Sequence, residues 1–86
     1  DQGASRALKS GKSLLPSGIT KVSGVFKKGD NILIVDNNNI DVARALSSFT
    51  SGEIDRIKGL QSDQIENILG YASKSEIVHK DDIVIL

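Results

Sequence analysis

With 86 residues, no cysteine and a formal net charge of zero, this chain has room for one small domain and cannot stabilise it with disulfides or thiolate metal sites. No apolar run approaches the roughly 20 residues that a membrane-spanning helix needs, and no signal peptide is visible, so we expect a cytoplasmic protein without a membrane partner. The chain begins at Asp1, without a methionine or a targeting pattern, which indicates a piece of a longer protein.

The charges are distributed unevenly along the chain. Residues 1–30 carry six basic and two acidic side chains, whereas residues 31–86 carry five basic and nine acidic ones. A basic first third can meet phosphates or an acidic partner, but a solvated surface balanced by the rest of the molecule has the same composition. The charge pattern leaves both interpretations open.

The first predicted element is a short helix over residues 3–10. Ala4, Ala7 and Leu8 share one helical face, and Gly11 stands where a helix commonly stops. The following 16–18 segment, Pro-Ser-Gly, predicts a tight turn.

The segment Gly11-Lys12-Ser13 matches the end of a nucleotide-binding P-loop. The full motif requires another glycine at position 6, where this chain has Arg6, and it lies between a strand and a helix. Here a predicted helix precedes the segment and Pro16 follows it, so backbone N–H groups cannot converge on a phosphate. We therefore reject a P-loop.

Three strands are predicted next. Residues 19–26 alternate with a slip of face midway, which predicts a strand with a bulge or bend at Gly24. Residues 31–36 and 40–49 form two further strands, antiparallel to each other and joined by the Asn-rich turn at 36–39. In the third strand Arg44 shares a face with apolar side chains, namely Ile40, Val42 and Leu46.

The remaining residues predict two helices and two short strands. Thr50 and Glu53 have the spacing of a capping box, opening a helix that runs up to Gly59. Ser62 is predicted to cap a further helix that Gly70 ends, and residues 76–80 and 82–86 return to β character. This order of elements predicts a small α+β barrel of mostly antiparallel strands with flanking short helices.

No set of residues in the sequence has the pattern of a catalytic or metal site. His79 is the single histidine, and Asp55, Asp63 and Glu66 fall on polar helix faces, where solvation is sufficient to explain them. We therefore interpret the chain as a binding or structural module.

RNA binding is the functional alternative that the residues leave open. The chain has only three aromatic residues, two of which we expect in the core, so base stacking is poorly supplied. Basic side chains at Lys9, Lys12 and Lys21 could still hold backbone phosphates.

Five segments in order resemble the C-terminal PUA domain of bacterial glutamate 5-kinases. They are GKSLLPSGI (11–19), V-x-G-x-F-x-x-G-D (22–30), VARALSSFTS (42–51), I-x-G-x-x-S-x-x-I-x-x-I-L-G-Y (57–71) and EIVHKDDIVIL (76–86). The resemblance covers essentially the whole chain. Three positions depart from the family pattern: Ala45 stands for a glycine, Phe49 for a tyrosine and Lys80 for an arginine.

The resemblance implies a PUA-like pseudobarrel as a single domain over residues 1–86. PUA domains of RNA-modifying enzymes bind RNA, and a glycine-containing loop after the first helix lets the nucleic-acid backbone approach. By that resemblance, the expected contacts to RNA or another ligand are Lys12, Ser13, Ser17 and Gly18. We add Arg44 as a fifth expected contact because it lies on a strand face that is otherwise apolar. An ion pair at the edge of the core is the alternative for Arg44.

The resemblance also implies a parent enzyme that phosphorylates L-glutamate with ATP and Mg²⁺ in the first step of proline biosynthesis. Those cofactors belong to an upstream amino-acid kinase domain and not to this chain, whose implied partners are that kinase domain, RNA, and further copies in a full-length homo-oligomer. Three hypotheses follow: a non-catalytic regulatory module, an RNA-binding module, or a subunit-contact domain using apolar helix faces around Ile54, Ile57, Ile65 and Leu69.

Overall fold

The computed structural model describes residues 2–71 and 74–86, with the side chain of Gln2 left aside. Its helices and strands are α1 (Gln2–Lys9), β1 (Asn31–Val35), β2 (Asp41–Leu46), α2 (Ser51–Ile57), α3 (Ile65–Leu69) and β3 (Ile83–Ile85). Three-residue 3₁₀ turns lie at Pro16–Gly18, Ser62–Gln64 and Lys80–Asp82. The arrangement confirms the predicted α+β class. None of the helices in these ranges is long and apolar enough to cross a membrane.

The sheet has the strand order β1-β2-β3, with both neighbouring pairs antiparallel. The predicted hairpin between β1 and β2 is confirmed, and Asp36 organises its turn because Oδ1 accepts from the backbone N–H groups of Asn38 (2.8 Å) and Ile40 (3.0 Å). Asn39 adopts a φ of 59°, a left-handed conformation that asparagine tolerates better than most residues. Local turn chemistry therefore sets the hairpin.

The predicted strand over residues 19–26 is wrong. The segment is irregular and Gly24 bends it with a φ of 77°, so the predicted bend is present but not the strand around it. Its far end is attached to α2, because the backbone N–H of Phe26 donates to Ser51 Oγ (3.1 Å) and Phe26 O accepts from the Ser51 N–H (3.1 Å). The slip of its apolar positions from one face to the other leaves no continuous side to lie on a sheet.

The predicted strand at 76–80 is reduced to one bridge. Leu14 pairs with Val78, its N–H donating to Val78 O (3.1 Å) while Leu14 O accepts from the Ile77 N–H (2.8 Å). At His79 the chain turns into a 3₁₀ segment, since His79 Nδ1 accepts from the Asp81 N–H (3.1 Å). A side chain that satisfies the local backbone in this way competes with strand pairing.

The helix at 62–69 begins differently from the prediction. Ser62 does not cap it: its hydroxyl donates to Ser75 O (3.0 Å), and a 3₁₀ turn precedes α3. The predicted end is confirmed, because Gly70 takes a φ of 83° and its N–H donates to Glu66 O.

The capping box at the start of α2 is confirmed. Thr50 Oγ1 accepts from the Glu53 N–H (3.1 Å), and Glu53 Oε1 accepts from the Thr50 N–H (2.8 Å). Burial would raise the pKa of Glu53, but hydrogen bonds from Thr50 and Tyr71 and the charge of Lys28 hold it below its ordinary value. The same hydrogen bond to Glu53 raises the pKa of Tyr71.

The core packs the helices and the residues around the bridge against the inner face of the sheet. Phe49 is 1% exposed, and Phe26 packs against the buried cluster from its edge, as expected for two of the three aromatic residues. The apolar faces of α2 and α3 are buried in this cluster, so Ile54, Ile57, Ile65 and Leu69 form the core and are not available for a subunit contact.

Candidate binding groove

The groove begins where the chain reverses after α1. Gly11 ends the helix with a φ of 81°, and its N–H donates to Leu8 O (3.0 Å), while the Lys12 N–H donates back to Ala7 O (2.9 Å). This local geometry turns residues 12–18 along one side of α1. The bridge at Leu14 then holds the same segment beside residues 76–80.

A groove of about 590 Å³ lies between these three parts of the chain. Lys12, Ser13, Ser17 and Gly18 line it, so the structure brings together four of the five residues predicted as contacts. The other lining residues are Gly3, Ala4, Ala7, Gly11, Leu14, Leu15, Glu76 and Lys80. Whether a ligand touches the four residues stays a prediction.

Arg44 lies elsewhere. It projects from the middle of β2, exposed, while its neighbours Ala43 and Ala45 are buried. Its Nη1 donates to Asn31 Oδ1 (3.3 Å), and within residues 2–71 and 74–86 it forms no ion pair. The structure therefore separates Arg44 from the groove.

Sequence reasoning missed Lys80 as a groove residue. Its backbone N–H donates to Ser13 Oγ (2.9 Å), a hydrogen bond between positions 67 residues apart in the chain. This bond joins the 12–18 segment to residues 76–80, so that the residues lining the groove include two lysines, Lys12 and Lys80, and one acidic residue, Glu76. The lining residues therefore carry a positive net formal charge. In the sequence, Lys80 stands out only as a departure from the family pattern, at the end of the predicted strand at 76–80.

Gly18 has a packing role at the groove wall. A Cβ built on Gly18 would stand 2.6 Å from the Cβ of Ala4 in α1, closer than real Cβ contacts come. The absence of a side chain therefore lets the 16–18 turn lie directly against the helix.

The turn itself is held by the buried Pro16. Its carbonyl oxygen accepts from the N–H groups of Ile19 (3.0 Å) and Gly59 (2.8 Å), and the Gly18 N–H donates to Leu15 O (3.1 Å). The backbone on this side of the groove is thus attached to the end of α2 and to the core.

The chemistry of the groove follows from its lining residues. Its polar groups are ammonium, hydroxyl and one carboxylate, which suit an anionic or phosphate-bearing ligand held over an apolar floor at Leu14 and Ala7. ATP with Mg²⁺ does not fit: Gly11-Lys12-Ser13 follows a helix, and no group of three or more potential ligand side chains among the described residues could hold a metal ion.

Comparison with known families matches residues 1–69 to the PUA domain. The match covers most of the chain, and the chain belongs to the PUA domain family, whose small α+β pseudobarrel agrees with the observed elements.

Several glutamate 5-kinases are similar to the chain. That of Pelagibacter ubique is 61% identical over 84 residues, covering 98% of this chain and 23% of the relative. Those of Bartonella henselae (48% identical, 99% and 22%) and Caldanaerobacter subterraneus (46%, 100% and 23%) match in the same way. The chain therefore spans less than a quarter of the length of these relatives, in their C-terminal portion.

Proposed function

We propose that this PUA domain is a non-catalytic accessory module of a full-length glutamate 5-kinase, where it tunes the activity of the kinase portion. The observation that carries the proposal is the 61% identity, over almost the whole chain, to one portion of a protein named glutamate 5-kinase. In this proposal ATP and Mg²⁺ bind to the rest of the polypeptide, which transfers the γ-phosphoryl group to L-glutamate in the first step of proline biosynthesis.

The groove is consistent with catalysis in the rest of the polypeptide and not in this domain. It has no nucleotide loop and no pair of carboxylates in different environments, which general acid–base chemistry would require. Its partners in the full-length protein are then the kinase domain of the same chain and, in a cytoplasmic homo-oligomer, the other subunits.

Two protein preparations test the proposal: the full-length enzyme and the same enzyme truncated before Asp1. We expect the truncated enzyme to form γ-glutamyl phosphate with an altered KM for glutamate or an altered kcat, and the isolated 86 residues to form none. Product made by the isolated domain, or identical kinetics of the full-length and truncated enzymes, would contradict the proposal.

A second candidate function, RNA binding in the groove, is favoured by the surplus positive charge that Lys12 and Lys80 give it. Two phosphate contacts predict that log Kobs falls against log salt with a slope of about −1.4 to −1.8, because bound phosphates release counterions. Substituting Lys12→Ala should reduce that slope by about 0.7–0.9.

Fluorescence anisotropy with a labelled structured RNA measures this slope. Lys27→Ala is the matched control, since Lys27 is exposed and does not line the groove. No binding at low salt, or equal effects of the two substitutions, would remove the RNA function.

A further inference from the structure

The sheet presents an apolar face to solvent. Antiparallel sheets that cover a core on one side normally carry polar residues on the other. Here most outward positions are aliphatic. We call six of these residues the outer face: Leu33, Val35, Arg44, Leu46, Val84 and Leu86. Two exposed polar residues, Asn31 and Asp41, pair with Leu46 and Val35 on the same side of the sheet.

The register makes the outer face continuous. Leu33, Arg44 and Val84 stand directly opposite one another across the three strands, and Leu46 occupies the next outward row on β2. Side chains opposite each other in neighbouring strands lie about 5 Å apart, so these residues form one patch and not scattered exposed positions. Leu33 is 42% exposed, Leu46 44% and Val84 66%. A contiguous patch of this kind marks an interaction surface.

Arg44 at the centre of the patch indicates which surface covers it. In a two-fold contact between copies centred on the Leu33–Arg44–Val84 row, each Arg44 would face its own counterpart without water, which is unfavourable. Its guanidinium offers five N–H donors, and among the described residues one of them is used, in the 3.3 Å hydrogen bond to Asn31. The remaining donors suit a carboxylate.

The length of the relatives indicates where that surface lies. In the glutamate 5-kinases that match this chain, more than three quarters of the polypeptide lies outside the matched portion. A tether of that kind gives an effective concentration on the order of 1 mM, at which a contact with a Kd of about 0.1 mM is open roughly a tenth of the time. An intramolecular surface therefore has a large advantage over a partner free in solution.

We propose that the outer face docks on the remainder of its own full-length polypeptide, against an apolar surface with one carboxylate that pairs with Arg44. The inference rests on the proposed function, because it takes the chain to be part of such a longer enzyme. It names the surface through which the domain and the kinase portion contact each other.

Cysteine labelling in the full-length protein tests the docking. Leu46→Cys places a thiol on the outer face, and Ile68→Cys places one on α3, where the side chain has a similar exposure of 38%. The rate of maleimide modification is followed for each site by peptide mass spectrometry. For a contact with a Kd of about 0.1 mM at that effective concentration, we expect Leu46→Cys to react about tenfold more slowly than Ile68→Cys.

A charge reversal then identifies the contact. Adding Arg44→Glu should restore the labelling of Leu46→Cys and leave that of Ile68→Cys unchanged, which also checks that the fold is intact. Equal labelling of the two sites in the full-length protein overturns the docking, and protection that survives Arg44→Glu overturns the carboxylate pairing. Protection that disappears on dilution into dissociated subunits, or on nuclease treatment, shows that a second copy or a nucleic acid covers the face, and overturns the proposed occupant.

The labelling result and the truncation kinetics separate the two proposals. Protection of Leu46→Cys with identical kinetics of full-length and truncated enzyme leaves docking in place and removes the tuning function. Labelling of Leu46→Cys without protection, together with altered kinetics of the truncated enzyme, removes the docking and leaves the tuning function in place.

Discussion

The contact between Gly18 and Ala4 makes the sharpest stability prediction. Gly18→Ala would place a methyl 2.6 Å from the Cβ of Ala4, and the nearest other atoms are the Ala4 Cα and Leu14 Cδ1, each at 3.7 Å. The φ of Gly18 lies outside the left-handed region, so alanine can adopt the backbone conformation and the cost comes from the contact alone. Overpacking of this kind costs about 2 kcal/mol, within a usual range of roughly 1–3.

A double substitution isolates that contact. Ala4→Gly alone should cost about 1 kcal/mol through the lower helix propensity of glycine. In Ala4→Gly/Gly18→Ala the methyl group moves from residue 4 to residue 18, and its closest neighbours then stand at an ordinary distance of 3.7 Å. Alanine at position 18 also restricts the unfolded chain, which stabilises the folded domain by about 0.4–1 kcal/mol. The double variant should therefore lie within about 1 kcal/mol of the unsubstituted domain, against roughly 3 for the sum of the singles.

Urea unfolding of the 86-residue domain, followed by far-UV circular dichroism, measures these free energies. Gly52→Ala is the matched control, since its new Cβ would have only Thr50 Oγ1 near, at 4.0 Å, and should stabilise α2 by about 0.5–1 kcal/mol. A loss of 2 kcal/mol should lower the Tm by roughly 8–16 °C in a domain of this size. Additive single and double effects, or a neutral Gly18→Ala, would refute the role assigned to the contact.

Three further outcomes are expected from the same unfolding assay. Thr50→Ala removes one half of the capping box and should cost about 1 kcal/mol, whereas Thr50→Ser should keep most of that stability. Since the pKa of Glu53 is lowered in the folded state, its carboxylate charge stabilises the fold at pH values above its ordinary pKa of 4.5. This contribution is lost as the pH falls through the lower pKa of the folded state. Glu53→Gln should reduce the loss of unfolding free energy at acidic pH. An unchanged dependence of that free energy on pH would contradict the role given to the Glu53 charge. Phe49→Ala should cost about 3–5 kcal/mol and leave the domain largely unfolded at room temperature, because a chain of this size has only about 5 kcal/mol in total.

The sequence predicted best those features that a few neighbouring residues determine. The Asp36 turn and the Thr50–Glu53 capping box depend on side chains within four positions of the backbone groups they satisfy. The Gly70 helix stop depends on a left-handed backbone conformation that glycine adopts readily. The predicted strands at 19–26 and 76–80 failed for the opposite reason. A strand needs a partner with free backbone groups, and β propensity does not show whether the fold provides one.

The same distinction between local and long-range contacts applies to the groove residues. Lys12, Ser13, Ser17 and Gly18 were predicted together because they are close in sequence, through a family resemblance that places them in one loop. Lys80 joins them through a hydrogen bond across 67 positions, which no local pattern contains. Arg44 was added to them because it lies on an otherwise apolar strand face, and its position on β2 puts it on the outer face of the sheet, away from the groove.

The attachments of residues 13–18 determine how the groove can select a ligand. Ser13 Oγ accepts from the Lys80 N–H, Leu14 is paired with Val78, and Pro16 O accepts from the Gly59 N–H. This wall therefore cannot move without breaking hydrogen bonds to two distant parts of the chain, residues 77–80 and Gly59. A ligand that fits the groove then binds without the free-energy cost of ordering a loop. A ligand that does not fit would have to break hydrogen bonds of the wall in order to open it. Selection is left to the exposed side chains that can still change rotamer, which include those of Lys12 and Lys80. Since both end in ammonium groups, the groove should discriminate ligands by the position of negative charge and not by the shape of an aromatic ring, for which it has no stacking partner among its lining residues.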